Sequence, residues 1–119
     1  MKTLCLIALL GLHLGAGAAD LANGQRLFNV RCASCHAVGP SASNGFGPQL
    51  NSLFGRRAGS GPGYSYSPGL TKKGGTWTDA ALDAYLTNPT GYAPGTKMFN
   101  RVGSPQARTA IITYLKTQK

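Results

Sequence analysis

Apolar residues fall at helical intervals in three stretches of this chain and are sparse between them. Near the C-terminus, Ala107, Ala110, Ile111, Tyr114 and Leu115 recur at i, i+3, i+4, i+7 and i+8, the stripe of a helix with one buried face. Ser104 stands where an N-cap belongs, and Pro105 follows at the first helical position, where a missing N–H costs nothing. A second helix is predicted from Thr78, an N-cap with Asp79 in the first turn. It sets Ala81, Leu82, Tyr85 and Leu86 at helical spacing and stops before Asn88-Pro89, because a residue preceding proline avoids helical geometry. A third begins near Asp20, carries Leu21, Gly24, Leu27 and Phe28 towards one side, and ends by residue 32. The chain has no internal repeat and no alternating strand pattern of useful length, so the expected class is all-α.

The middle of the chain conflicts with that simple picture. Between Gly39 and Gly75, 20 of 37 residues are glycine, serine or proline, a composition that by itself reads as linker. A compact domain of this size does not normally hold so long an irregular segment. The conflict disappears if a large, flat, apolar cofactor supplies the core that the sequence lacks, with loops wrapped around it.

The N-terminus narrows the domain organisation. Lys2, an apolar stretch from Leu4 to Leu14 broken by Gly11 and His13, and the small residues Ala16-Gly17-Ala18 read as a cleaved secretory signal over residues 1–19. Cleavage is expected after Ala18 or Ala19, leaving residues 20–119 as one domain. The apolar run is shorter than the roughly 20 residues that span a bilayer. Cys5 sits too early to be a lipid-modified cysteine, and His13 lies in the discarded segment. Loss of Lys2 leaves eleven Lys and Arg against Asp20, Asp79 and Asp83, with no glutamate, a net charge of +8. Such a surface suits nucleic acid, a membrane or an acidic protein. Export argues against nucleic acid, and basic runs no longer than two argue against a polybasic membrane patch; an acidic protein partner is the better reading.

The chemistry is carried by Cys32-Ala33-Ser34-Cys35-His36, a C-x-x-C-H pentapeptide of the kind that attaches c-type haem. Residues three apart on a helical turn share a face, so both thiols reach one edge of a porphyrin. His36 then turns under the ring and offers an imidazole nitrogen to iron. A thioredoxin-type pair lacks the surrounding βαβ pattern, and a zinc site lacks a second cysteine pair. After processing, Cys32 and Cys35 are the only cysteines and His36 the only histidine.

Iron held by His36 either takes a second axial ligand or keeps an open face for chemistry. The processed chain has one methionine, Met98, within Tyr92-Ala93-Pro94-Gly95-Thr96-Lys97-Met98-Phe99. A lone methionine is most often gap-filling core. Here Pro94-Gly95 forms a turn able to present the sulfur, and Thr96 offers a hydroxyl beside it. A thioether at this position raises a haem reduction potential.

These blocks, in this order, resemble a class I cytochrome c of the bacterial cytochrome c2 and mitochondrial cytochrome c type. The likeness runs from Gly24 to about Lys116. It rests on Gly24 with Phe28, the C-A-S-C-H motif, Gly47-Pro48-Gln49-Leu50, Leu53-Phe54-Gly55-Arg56, Tyr66, Trp77, Tyr85-Leu86, Asn88-Pro89, Pro94 to Phe99, and Tyr114-Leu115. It implies a small all-α fold, with terminal helices crossing and a further helix and long loops wrapped around one covalent haem c. By the same likeness Cys32 and Cys35 form thioethers, and His36 and Met98 ligate iron. Pro48 offers its carbonyl to the second imidazole nitrogen. Arg56, Tyr66 and Trp77 bind or neutralise a buried propionate, and Tyr85 and Thr96 border the methionine sulfur. Gly24 and Phe28 are expected to pack on Tyr114 and Leu115.

The chain also departs from the pattern. The lysine ring around the haem edge is thin, with Lys72, Lys73, Lys97 and Arg31 as its members, and Thr90-Gly91 stands where lysines are frequent. Leu70 replaces a frequent asparagine, and pointing inward it would dry the Met98 side. The resemblance implies a soluble, monomeric, periplasmic one-electron carrier and no enzyme. Its expected partners are acidic redox proteins of a respiratory or photosynthetic chain: a bc1-type reductase or dehydrogenase as donor, an oxidase or reaction centre as acceptor, with peripheral membrane contact. The rival readings are a dedicated electron-transfer subunit of a periplasmic dehydrogenase, and an open-site peroxidase or gas sensor. The last lacks a free histidine for distal acid–base work.

Overall fold

The computed structural model describes residues 16–119; residues 1–15, and with them most of the expected signal segment, lie outside the described residues. Five helices follow in order: α1 (Ala16–Arg31), α2 (Pro68–Lys73), α3 (Asp79–Thr87), α4 (Pro89–Tyr92) and α5 (Pro105–Lys116). Among the described residues there is no strand, only an isolated antiparallel bridge between Arg57 and Thr76.

Helix α5 begins as its sequence dictates. The Ser104 hydroxyl accepts from the Ala107 N–H at 3.1 Å, and Pro105 occupies the first turn. Ala110, Ile111 and Leu115 of the stripe are buried. Ile112 and Arg108, which lie off the stripe, are buried as well, so the covered face is wider than the heptad-like pattern suggests. Helix α3 starts on Thr78, whose hydroxyl accepts from the Ala81 N–H at 3.1 Å, and it buries Leu82, Tyr85 and Leu86 before ending at Asn88.

Helix α1 starts at Ala16, four residues ahead of the expected Asp20. Its apolar face is poor: Phe28 is 2% exposed, whereas Leu21 lies at the edge. What holds it is close approach to α5. A Cβ at Gly24 would overlap the Ala110 carbonyl oxygen and stand 2.7 Å from Tyr114 Cβ, so only glycine lets the two backbones meet. Beside it the Phe28 and Tyr114 rings pack tilted, with centroids 5.7 Å apart. The crossing of the terminal helices is therefore built from one missing side chain and one aromatic pair.

Helices α2 and α4 were not expected. Each is short and opens on a side-chain cap followed by proline: Ser67 accepts from the Leu70 N–H at 3.2 Å, and Asn88 from the Gly91 N–H at 3.2 Å. Ser-Pro and Asn-Pro are turn signals as much as helix starts, and each is followed within two residues by glycine, which lowers helix propensity.

The glycine-rich middle is ordered by its backbone. The Gly55 N–H donates to the Trp77 carbonyl at 2.9 Å, Trp77 returns the bond to Arg56 at 2.9 Å, and Ala58 bonds Gly75 at 2.8 Å. The Ser52 N–H reaches Gln118 at 2.9 Å and ties this segment to the C-terminus. Leu53, Ala58, Leu70 and Trp77 of this region join Leu82, Leu86, Ile111 and Leu115 in one core.

Candidate cofactor site

The pentapeptide continues the winding of α1. The Cys32 N–H bonds the Phe28 carbonyl at 2.8 Å and the His36 N–H bonds the Cys32 carbonyl at 2.9 Å, so both cysteines and the histidine follow one another on a tight turn. All three line a cavity of about 350 Å³, within the range of cofactor sites. Met98, Tyr85, Thr96, Tyr66, Trp77 and Arg56 line the same cavity, as does Pro48. Every residue singled out for the site is thus brought to one enclosure.

The geometry of His36 determines its chemistry. Nδ1 lies 2.8 Å from the Pro48 carbonyl oxygen, and a carbonyl can only accept. The proton therefore sits on Nδ1, and Nε2 keeps a free lone pair. A Cβ at Gly47 would stand 2.5 Å from Cε1 and 2.7 Å from Nδ1, so the imidazole lies directly against the backbone that carries Pro48. Burial pushes the pKa of His36 below its ordinary value of 6.5, against the opposing effect of the Pro48 bond, which keeps the ring neutral. Burial also pushes the Cys32 thiol up to about 11, with Arg31 pulling the other way. A thiol so reluctant to ionise is a poor redox nucleophile, which weighs against a thioredoxin-type pair. Among the described residues no cluster of three or more His, Cys, Asp or Glu is placed to hold a metal ion, which weighs against zinc.

Around Met98 a hydroxyl pair does the positioning. Tyr85 Oη and Thr96 Oγ1 lie 2.6 Å apart in a buried contact, and Thr96 Oγ1 also accepts from the Met98 N–H at 3.3 Å. The two hydroxyls own two protons and spend one on each other, so one O–H remains to donate into the cavity. Burial raises the Tyr85 pKa, with the Thr96 bond opposing, and the phenol stays protonated for that role.

Elsewhere on the wall, Tyr66 Oη accepts from the Gly61 N–H at 3.0 Å. A Cβ at Gly61 would lie 3.5 Å from Arg56 Cζ, so the phenol and the guanidinium converge there. Trp77 is 6% exposed and stacks on Tyr92 at 6.3 Å and 22°. None of the chain's three aspartates lines the cavity, so these donors suit an anionic group. Leu50, Leu53, Leu70, Leu82, Ile111 and Leu115 supply an apolar surround. Two thiols, an imidazole lone pair, a thioether, anion-seeking donors and an apolar wall match the requirements of a covalently held haem.

Leu70 is buried and lines the cavity, as expected if it dries that side. Of the thin basic ring, Arg31 and Lys97 line the cavity, whereas Lys72 and Lys73 stand exposed on α2. Lys97 Nζ donates to the Ser65 carbonyl at 2.6 Å, and Lys73 Nζ lies 4.6 Å over the Tyr92 ring. Sequence reasoning did not single out Leu53, Leu82 and Ile111 as cavity walls. Leu82 and Ile111 were legible only as core, and nothing in a periodicity separates core from cofactor wall.

A family model described as cytochrome c matches residues 21–119. Cytochrome c2 from Rhodomicrobium vannielii is 45% identical over 102 residues, covering 85% of this chain and 81% of that one. Cytochrome c from Sesamum indicum is 43% identical over 102 residues, covering 85% and 92%. Among solved structures, cytochrome cH from Methylobacterium extorquens superposes with a TM-score of 0.76 at 40% identity, covering 83% of this chain and 99% of that one.

Proposed function

The chain belongs to the cytochrome c family, and from that premise we propose that it is exported to the periplasm and shuttles electrons there between acidic redox proteins. Membership makes it a one-electron carrier with covalently attached haem c, and no enzyme. When bound, the haem supplies the ferric–ferrous couple. The chain's own residues would hold that group and set the polarity around it.

In this reading Cys32 and Cys35 hold the cofactor as thioethers, and His36 ligates iron through Nε2 while Pro48 retains the Nδ1 proton. Met98 would supply the second protein ligand to the iron, bordered by Tyr85 and Thr96. Arg56, Tyr66 and Trp77 compensate a buried propionate. The observation that carries this assignment is the single cavity in which the His36 lone pair and the Met98 thioether are both found.

Residues 1–19 act as the cleaved signal and 20–119 as the working domain. Partners are a bc1-type reductase or dehydrogenase on one side and an oxidase or reaction centre on the other, in a respiratory or photosynthetic chain. The basic excess of the sequence supports acidic surfaces on them. Protein matured in a periplasm should keep its haem through acid–acetone extraction. Met98→Ala should abolish the weak far-red sulfur-to-iron band of the ferric form and lower the reduction potential. A spectrum unchanged by that substitution removes Met98 from the iron.

A further inference from the structure

Arg108 is the one cationic side chain buried among the described residues, at 9% exposure, and the cavity does not use it. It stands in the first half of α5 and ties three elements together. Nε donates to Asp83 Oδ1 on α3 at 2.7 Å. Nη1 donates to the Val102 carbonyl at 2.8 Å and to the Gly103 carbonyl at 3.2 Å. Those carbonyls end the five-residue segment, Phe99–Gly103, that returns from Met98 to α5. Two further bonds fasten the same segment to α3 and its end: the Val102 N–H to the Leu86 carbonyl at 2.8 Å, and Arg101 Nη2 to Asn88 Oδ1 at 2.8 Å.

The approach to Met98 from the other side is fastened separately, by the Thr96 hydroxyl and by Lys97 on Ser65. Phe99 and Asn100, between the two sets of bonds, are exposed. Met98 is thus carried on a short span clamped at both ends, and the clamp on the α5 side is an arginine fork. A guanidinium suits this place because its planar donors reach two carbonyls and a carboxylate at once, which a lysine ammonium on a flexible stem does not reproduce. Its charge, taken out of water, is balanced by Asp83, and three of its N–H groups are engaged, one by that carboxylate and two by backbone oxygens.

We infer that Arg108 is a positioning residue that governs how readily Met98 leaves the iron, by holding the Val102–Gly103 end of the Met98 span against α3 and α5. The inference rests on Met98 being the axial ligand. Loss of the fork frees the return limb, and the span opens more often while the cavity and the α1–α5 crossing remain. Asp83 orients the fork from outside, with its own side chain about half exposed, and so matters less than the two carbonyl bonds.

The test uses the ferric holoprotein and imidazole as the displacing ligand, with the far-red band as readout. At saturating imidazole the displacement rate becomes the rate at which Met98 leaves. Arg108→Gln should raise that limiting rate tenfold or more, Arg108→Lys by an intermediate factor, and Asp83→Asn less than either. Ile112→Ala is the control, since it removes a buried α5 side chain that makes none of the fork's hydrogen bonds and does not line the cavity. Compared at equal loss of global stability in urea, it should leave the rate within a factor of two. The inference is overturned if Arg108→Gln and Arg108→Lys leave the rate unchanged, or if Ile112→Ala raises it as much. A parent protein with no far-red band, taking up imidazole at once, refutes Met98 ligation itself, and the positioning role falls with it.

Discussion

Gly24→Ala tests whether the terminal-helix crossing depends on a missing side chain. Two effects oppose one another. Alanine is the better helix former by about 0.8–1.0 kcal/mol, and Gly24 lies inside α1. Against this, the new Cβ would overlap the Ala110 carbonyl oxygen and come within 2.7 Å of Tyr114 Cβ. Overpacking costs about 1–3 kcal/mol, and the upper end applies here because a helix carbonyl cannot rotate away. The steric effect wins by about 2 kcal/mol, which for a domain of this size lowers Tm by roughly 8–16 °C. The disturbance should also reach the cofactor, because Ile111 and Leu115 on the displaced helix line its cavity. Urea melts of parent and variant holoproteins followed by far-ultraviolet circular dichroism would measure it, with an unchanged m-value confirming that native stability moved. A variant within 0.5 kcal/mol of the parent, or more stable, would refute the close-contact argument.

Stability should fall as pH drops below 6.5. His36 is held neutral in the fold with its pKa below 6.5, so below that value the unfolded chain takes up a proton the folded chain refuses. The window just below 6.5 is therefore where the histidine acts. Urea midpoints that stay flat from pH 7.5 to 5 would contradict this. Electron exchange with an acidic redox partner should slow as ionic strength rises, since the exposed Lys72, Lys73 and Arg31 act over a Debye length of about 10 Å at 0.1 M salt and about 3 Å at 1 M. Stopped-flow rates independent of salt would show that these charges do not steer association.

What the sequence reveals here follows from how local the signal is. The caps of α3 and α5, the stop at Asn88-Pro89 and the C-x-x-C-H turn depend on neighbours in the chain, and they are found where the residues place them. The role of Gly24 is legible only through family likeness, because its partner lies across the fold. Helices α2 and α4 escape periodicity because six and four residues make fewer than two turns, too few for a pattern to recur. The glycine-rich middle escapes for another reason: its order lies in backbone bonds such as Gly55 to Trp77, which no side-chain pattern records. Arg108 is not singled out by periodicity, because it lies off the apolar stripe of α5. The signal was its place beside the apolar stripe in a chain with only three acids, one of which, Asp83, it meets.

The packing of α1 on α5 has a consequence in time. Gly24 and Ala110 stand 86 positions apart, so at roughly 5–20 residues per second the first helix waits about 4–17 s for the surface it must meet. Until α5 is made, α1 has no partner to close on, and the thiols that follow it stay uncovered. An enclosure for them needs residues from both ends of the chain, so it is the last thing the chain completes.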